Sequence, residues 1–504
     1  MLTEFWSQLK SGTDIRGVAS EGVENEEINL TDDVVHKISK GFAKWLSGKC
    51  KKPLEKIIVS VGHDSRISAE RIESVVLASL QSFGITCLDC GLSSTPAMFM
   101  TTLDLNCDGA IQITASHHPF NRNGLKFFTK NGGLDSSDIT SILEYAQEDI
   151  LLPNANGSIS KVNYMARYSE HLRNIICSQV NAENYDKPLE GFRIVVDAGN
   201  GAGGFYAKDV LQPLGADTSG SQFLEPDGRF PNHIPNPENK QAIESARRAT
   251  VSNKADLGVI FDTDVDRGGA IDSNGTEINR NRLVALASEI ALEGHPGGTI
   301  VTDSITSTGL KKYIEGELGG VHHRFKRGYK NVINEAIRLN SVGQTTPLAI
   351  ETSGHAAFME NHFLDDGAYL VTKIIIKMAV LKKQEKTLSS LLSKLEEPKE
   401  STEIRLPILS SDFKTVGNNI IEELKAHAKK HNGWCIVSDN YEGIRVECDK
   451  DNGNGWFLLR LSVHDPIMPL NVESDTVGGN KVIINELSNF LSKCDELDTS
   501  LLKN

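Results

Sequence analysis

The chain has 504 residues, 39% of them apolar and 24% charged, with a formal charge of −14. That length suggests three or four domains, each with material for its own core. No long basic run offsets the negative charge, so nucleic acid and anionic membrane surfaces are excluded as partners of the chain as a whole; a few focused cations can still hold an anionic substrate.

The start, Met1-Leu2-Thr3-Glu4-Phe5-Trp6, has no charged segment followed by an apolar core, so no secretory leader is expected. No uninterrupted apolar run reaches the roughly 18 residues of a membrane span. Residues 369–381 come closest, but Lys373 and Lys377 interrupt them, and an amphipathic helix is expected there. Eight cysteines in 504 residues point to a reducing, cytoplasmic setting without a disulfide framework. Cys87-Leu88-Asp89-Cys90 is the one close pair; with no second pair elsewhere, it reads as two strand-end thiols rather than a redox or zinc site.

In chain order, one kind of strand runs into a polar, glycine-rich or hydroxyl-rich turn at 57–64, 194–201 and 299–304. A second kind is short and apolar and delivers a polar cluster. Its copies end at Thr114-Ala115-Ser116-His117-His118, Asp262-Thr263-Asp264-Val265-Asp266 and Glu351-Thr352-Ser353-Gly354-His355. Each first-kind strand precedes a second-kind strand by about 50–65 residues, with helical patterns between. This predicts three related α/β domains, with the clusters at the carboxyl ends of strands, where such layers bind ligands. Residues 396–400 read as a charged linker. Beyond them a strand, a helix over about 412–431, and strands at 444–448 and 456–460 predict a smaller C-terminal α+β domain. The expected domains are 1–160, 161–280, 281–397 and 398–504.

Asp262, Asp264 and Asp266 alternate by two after an apolar strand, so in an extended chain they face one way. Three crowded carboxylates call for a cation, and hard oxygen ligands suit Mg²⁺ or Ca²⁺. An EF-hand loop needs Gly at position 6 and an acidic residue at position 12; Arg267 and Ser273 stand there instead. Ser116, at a strand end beside His117, suggests a nucleophile outside the Gly-x-Ser-x-Gly elbow. Lys126 lies close enough in sequence to return to that site and neutralise a transferring phosphoryl group. Glu351, Ser353 and His355 also alternate by two and suit recognition of sugar hydroxyls. Asp14-Ile15-Arg16-Gly17 and Arg460-Leu461-Ser462 are weak signals alone.

In combination and in this order, Thr114-Ala115-Ser116-His117 with Pro119, Asp262-x-Asp264-x-Asp266-Arg267 and Glu351-x-Ser353-Gly354-His355 resemble the α-D-phosphohexomutase superfamily. The Asp14–Gly17 motif, the stretches 226–231 and 235–238, and Gly455-Trp456 with Arg460 and Ser462 extend the resemblance over essentially the whole chain. The resemblance implies three related α/β domains with mixed sheets and a fourth α+β domain around a central cleft. It implies that Ser116 is a phosphoserine and that a phosphoryl oxygen with Asp262, Asp264 and Asp266 binds Mg²⁺. Arg16, Lys126 and Arg267 would stabilise the transferring group, His355 would be a general acid or base, and His117 would support the phosphoserine loop. Glu351 and Ser353 would hold sugar hydroxyls. Lys326-Arg327-Gly328-Tyr329 resembles the further sugar- and phosphate-contacting loop, and Arg460 and Ser462, with Arg445, would grip the far phosphate.

The implied reaction interconverts hexose 1-phosphate and 6-phosphate through a 1,6-bisphosphate, by in-line transfer and charge neutralisation. Glucose phosphate is the expected substrate, with mannose phosphate second, acting on a monomer or homodimer. One departure stands out: after Arg460 and Ser462 the family places Asn and Thr, whereas here Val463-His464-Asp465 follow. Loss of a neutral donor to phosphate costs about 1 kcal/mol, which a charged His464 can offset. The departure leaves open a glucose 1,6-bisphosphate synthase recharged from a donor such as fructose 1,6-bisphosphate. A sugar-phosphate-binding protein without turnover is the third reading.

Overall fold

A computed structural model describes residues 2–462 and 465–503. The chain forms two compact units, Met1–Leu283 with Ser353–Ser390, and Val284–Thr352 with Leu391–Asn504. The first unit carries an eight-stranded sheet and a four-stranded sheet. In the larger sheet the order is Lys10–Ser11, Asp14–Val18, Arg122–Thr129, Gly109–Ile113, Ile58–His63, Thr86–Leu92, Ile159–Lys161, with Gly132–Gly133 paired to Arg122–Thr129. In the smaller the order is Glu277–Ile278, Gly268–Asp272, Leu257–Phe261, Ile194–Asp197. In the second unit, Thr299–Thr302 lies between Val321–Arg324 and Leu348–Ile350, parallel to both. A five-stranded antiparallel sheet closes the chain, ordered Glu400–Pro407, Ile467–Ser474, Gly455–Leu459, Ile444–Cys448, Trp434–Ile436.

The threefold sequence repeat is a pairing rule. Every first-kind strand lies parallel to its second-kind strand: Val59 opposite Gly109, Ile194 opposite Leu257, Ile300 opposite Leu348. Parallel neighbours require a crossover, and the intervening helices supply it. The strands are buried on both faces, as parallel layers demand. An aspartate just past the first strand braces its partner in two copies. Asp64 accepts from Thr114 Oγ1 at 2.6 Å and Asp303 from Thr352 Oγ1 at 2.9 Å. In the third copy Asp197 accepts instead from Gln222 at 2.7 Å and from His233 at 3.0 Å.

Helix Asp32–Cys50 shows how local sequence sets these layers. Thr31 accepts from Val34 N, and Asp32 and Asp33 favour the positive end of the helix. Val34, Val35, Ile38, Phe42, Trp45 and Leu46 recur at helical spacing and are buried; Phe42 stacks on Phe127 at 4.7 Å between centroids. Helix Gly367–Lys382 departs from the amphipathic expectation: apolar residues are buried nearly all round it, and Lys373 and Lys377 are only half-buried. Lys373 reaches Gln179 and Glu360, each at 2.9 Å. Among the described residues no helix is long and apolar enough to cross a membrane.

The helix expected over about 412–431 is Phe413–Ala428, capped by Asp412 and followed by Gly433 at φ +87°. Glu400 belongs to no linker: it begins the edge strand, and its carboxylate accepts from Gly478 N and Asn480 N at the start of helix Gly479–Leu491. Strand Ile467–Ser474 escapes the sequence pattern because Pro469 reads as a breaker; its carbonyl still accepts from Arg460 N. Cys87 and Cys90 are buried on strand Thr86–Leu92, and burial pushes both thiols up to about 12, so neither is a ready thiolate. All eight cysteines are free.

Helix Tyr164–Val180 is tied to helix Gly367–Lys382 by one buried knot. Tyr168 donates its hydroxyl to the Asp366 carboxylate at 2.7 Å, which also accepts from Asn361 Nδ2 and caps Tyr369 N. Burial holds Asp366 up at about 6. Tyr168→Phe leaves that carboxylate short of a donor and should cost about 1.5–3 kcal/mol. The loss is read from urea unfolding against wild type.

Candidate active site

In the first unit, two turns meet. Strand Gly109–Ile113 leads into the Ser116 turn, and strand Leu257–Phe261 leads into the three aspartates. Neither segment is extended there; both are turns, so the alternation expected for Asp262, Asp264 and Asp266 is not what makes them converge. Convergence comes from backbone reversal, with Ser116 at φ +52° and Val265 at φ +66°. A β-branched residue in that region is a true outlier, and such strain persists only where surroundings over-determine it. Val265 O accepts from Gly367 N at 3.1 Å, at the start of a buried helix. Glycine is required at 367 because a Cβ would meet the Arg267 carbonyl carbon at 2.4 Å.

Ser116 is 2% exposed. Its Oγ donates to Asp262 Oδ2 at 3.2 Å and accepts from Arg267 Nη2 at 3.0 Å, with His117 Nδ1 at 3.2 Å. Arg267 also meets His117 Nδ1 at 2.6 Å. Burial, then Arg267, pushes His117 far below the usual imidazole range, so it is neutral and able to accept. Lys126, from strand Arg122–Thr129, bonds Asp264 at 2.8 Å and also Asp266. Arg16 stands opposite Gly124 on the neighbouring strand and is paired with Asp14 at 2.7 Å. His355 Nδ1 bonds Asp365 and lies 3.9 Å from Asp266 Oδ1.

The three aspartates are buried, with ligand atoms within 4.8 Å of one another. Burial and then Asp266 and Asp264 raise Asp262 well above the carboxylate range. Burial opposes ionisation of Asp266 as well, but Lys126, His355 and Arg267 outweigh it and hold Asp266 well below that range. Asp264 Oδ1 and Asp266 Oδ1 are buried without a hydrogen-bond partner. Orphaned carboxylate oxygens in an all-oxygen, negatively charged turn fit a hard divalent cation such as Mg²⁺. Thr95, which sequence reading passes over, supports the site: its hydroxyl bonds Asp264 Oδ2, and its N–H donates to Asp264 O at 2.8 Å. Asp365 was likewise missed, since nothing local marks an aspartate ten residues beyond His355.

The second unit gathers another group. Gly328 N donates to Glu351 Oε1 at 2.6 Å, and Arg327 N to Glu442 Oε1 at 2.9 Å. Arg327 Nε lies 3.8 Å from Asp303. Burial, and then the charge of Arg327, lowers the Arg460 pKa. Two guanidiniums that feel each other's charge suit an anion. Lys326 and Tyr329 flank this loop, and Ser462 Oγ accepts from Asp465 N at 3.3 Å. Val463 and His464 lie outside the described residues. Arg445 sits deeper than a surface clamp would. It is 2% exposed, stacks on Trp456 at 3.5 Å and donates from Nη1 to Ser304 O, while its Nε and Nη2 are buried without a hydrogen-bond partner. The 351–355 segment is a turn with Gly354 at φ +97°, not an extended run; Thr352 braces Asp303, and Ser353 Oγ is buried without a partner.

A buried serine facing a turn of three buried aspartates, on repeated α/β layers, points to the phosphohexomutase class. Models of the phosphoglucomutase/phosphomannomutase α/β/α domains I, II and III match residues 7–151, 166–275 and 279–398, and the chain belongs to the α-D-phosphohexomutase superfamily. It is 28% identical to a phosphoglucomutase of Neisseria gonorrhoeae over 92% of each chain. It is also 28% identical to a phosphomannomutase/phosphoglucomutase of Pseudomonas aeruginosa, over 83% of this chain and 84% of that one. A crystal structure of a phosphoglucomutase/phosphomannomutase family protein from Burkholderia thailandensis superposes with a TM-score of 0.79 at 25% identity, covering 98% of each. The superfamily is Mg²⁺-dependent in general, and its members act on hexose phosphates.

Thr95→Ala removes a support of a metal ligand and should weaken Mg²⁺ or Mn²⁺ binding by about 10–100-fold. Calorimetric titration of the purified variant checks it; wild-type affinity would remove Thr95 from the site.

Proposed function

We propose that the chain interconverts hexose 1-phosphate and hexose 6-phosphate, glucose before mannose, through phosphoserine at Ser116 and a 1,6-bisphosphate. One observation carries the reading: Ser116 Oγ sits 3.2 Å from Asp262 and 3.0 Å from Arg267, beside two orphaned carboxylate oxygens. Asp262, Asp264 and Asp266 hold Mg²⁺, which when bound neutralises charge on the transferring group. Arg267, Lys126 and Arg16 add fixed positive charge where it develops.

In the forward step the Ser116 O–P bond breaks and a bond forms between phosphorus and a sugar hydroxyl oxygen. The hydroxyl proton passes to His355, Arg267 Nη2 stabilises the departing Ser116 oxygen, and in the return step that oxygen takes the phosphoryl group while His355 gives its proton back to the sugar oxygen. Asp365 holds Nδ1 of that ring in its protonated form, which leaves Nε2 as the basic nitrogen. Neutral His117 bonds Ser116 Oγ and keeps the side chain oriented. Glu351 and Ser353 hold sugar hydroxyls, and Arg327 with Arg460 grips the far phosphate. The bisphosphate then turns and returns its other phosphoryl group to Ser116.

Product analysis tests this. Glucose 1-phosphate with catalytic glucose 1,6-bisphosphate should yield glucose 6-phosphate rapidly, and intact-mass measurement should find one phosphoryl group on wild type and none on Ser116→Ala, whose turnover should be abolished. Stoichiometric accumulation of bisphosphate at the expense of fructose 1,6-bisphosphate would establish a synthase instead. Binding of hexose phosphate without turnover or phosphoserine would overturn both.

A further inference from the structure

Arg66 lies at none of the positions read as functional from sequence, yet it is 2% exposed and surrounded by the serine turn. Its Nη1 donates to Pro119 O and Arg122 O, each at 2.8 Å. Its Nη2 donates to His118 O at 2.8 Å and to Ser116 O. One planar guanidinium thus takes four carbonyls, three from the irregular turn after Ala115 and one from Arg122, where the next strand begins. Asp64 sets the plane: its carboxylate lies 3.4 Å from Arg66 Nε and accepts from Arg66 N at 3.0 Å. The same carboxylate accepts from Thr114 Oγ1, and Thr114 Oγ1 in turn accepts from Ser116 N at 2.9 Å. Both backbone ends of Ser116 therefore trace to one ion pair, the carbonyl through Arg66 and the N–H through Thr114 and Asp64.

The guanidinium face is covered too. The Phe230 ring centroid lies 5.4 Å from Arg66 Cζ. Gly228 brings that segment in: a Cβ there would meet Ile67 N at 2.3 Å and Ser65 O at 2.4 Å. The stretch 226–231 has its physical explanation here, as a cover over Arg66.

We infer that Arg66, fixed by Asp64 and covered by Phe230, is a positioning residue that holds the Ser116 turn in its left-handed conformation and so aims Ser116 Oγ at Asp262 and Arg267. The inference rests on the phosphoserine reading for its catalytic consequence, but not for its structural one. A residue with one point charge and three rotatable donors cannot reproduce a rigid fork that meets four acceptors, so lysine is not a conservative replacement here. Misplacing the nucleophile by a fraction of a bond length affects the transfer step while leaving groups that bind the sugar in place.

The test uses full-length Arg66→Lys and Phe230→Leu, with steady-state kinetics on glucose 1-phosphate and hydrogen exchange read by mass spectrometry. Arg66→Lys should lower kcat by about a hundredfold with KM changed by less than about threefold. Exchange should accelerate in 114–124 and stay at wild-type rates in strand Ile58–His63. Phe230→Leu should shift both readouts in the same direction, less far. Exchange unchanged in 114–124 in both variants, protection lost throughout the first unit, or KM rising in step with the fall in kcat would each overturn it. If wild type itself carries no phosphoserine and turns over no hexose phosphate, the phosphoserine reading fails, and the exchange arm alone decides the role of Arg66.

Discussion

Three carboxylates confined to one short turn and cut off from water repel one another strongly; like charges about 4 Å apart cost about 4 kcal/mol even at an effective dielectric of about 20. The first unit is arranged around that repulsion. Lys126 arrives from a strand of the other sheet and Arg267 ends the turn itself. Asp262 is driven toward its protonated form while Asp266 is held ionised, so the turn divides the charge unevenly. The buried Asp264 Oδ1 and Asp266 Oδ1, which take no hydrogen bond, mark where a deficit of positive charge is felt. A phosphoryl group on Ser116 would enlarge that deficit. The same turn that needs a divalent cation is thus the one that a phosphorylated serine would face.

Such a site works only if its turns do not relax. Ser116 and Val265 both hold left-handed backbone that open chain would abandon. Each is locked from outside its own loop, Val265 by Gly367 at a helix start and Ser116 by the Arg66–Asp64 pair. Polar groups that look structural in isolation therefore carry the geometry of the chemistry. The second unit uses the same economy: Glu442 and Glu351 fix the backbone of the Arg327–Gly328 loop, so its side chains are presented from a held frame.

Much of this was legible in the sequence. The three paired strand signals read as three α/β layers, and each pair is adjacent and parallel. Ser116, Lys126, Arg267 and the aspartates converge as their residue types implied, although through turns and not through strand alternation. What stayed hidden was set by long-range contact. Thr95, Asp365 and Arg66 bear no local mark, because their partners lie far along the chain or in an irregular turn. Strand Ile467–Ser474 was masked by Pro469, and Glu400 by a charged neighbourhood that resembles a tether.

The parallel pairing in each layer also bears on how such a chain can vary. The polar cluster is positioned by hydrogen-bond register with the strand beside it, not by the length of chain that connects the two. The connection in the second layer is longer than the other two, yet each returns its strand to the same place in its layer. Insertions and deletions in the helical crossovers can therefore accumulate without displacing the reacting groups. A single residue gained or lost inside Leu257–Phe261 would instead reverse which residues face the helices and move the aspartates off their mark. Divergence in this architecture is steered into its connections, and the strand ends remain its fixed points.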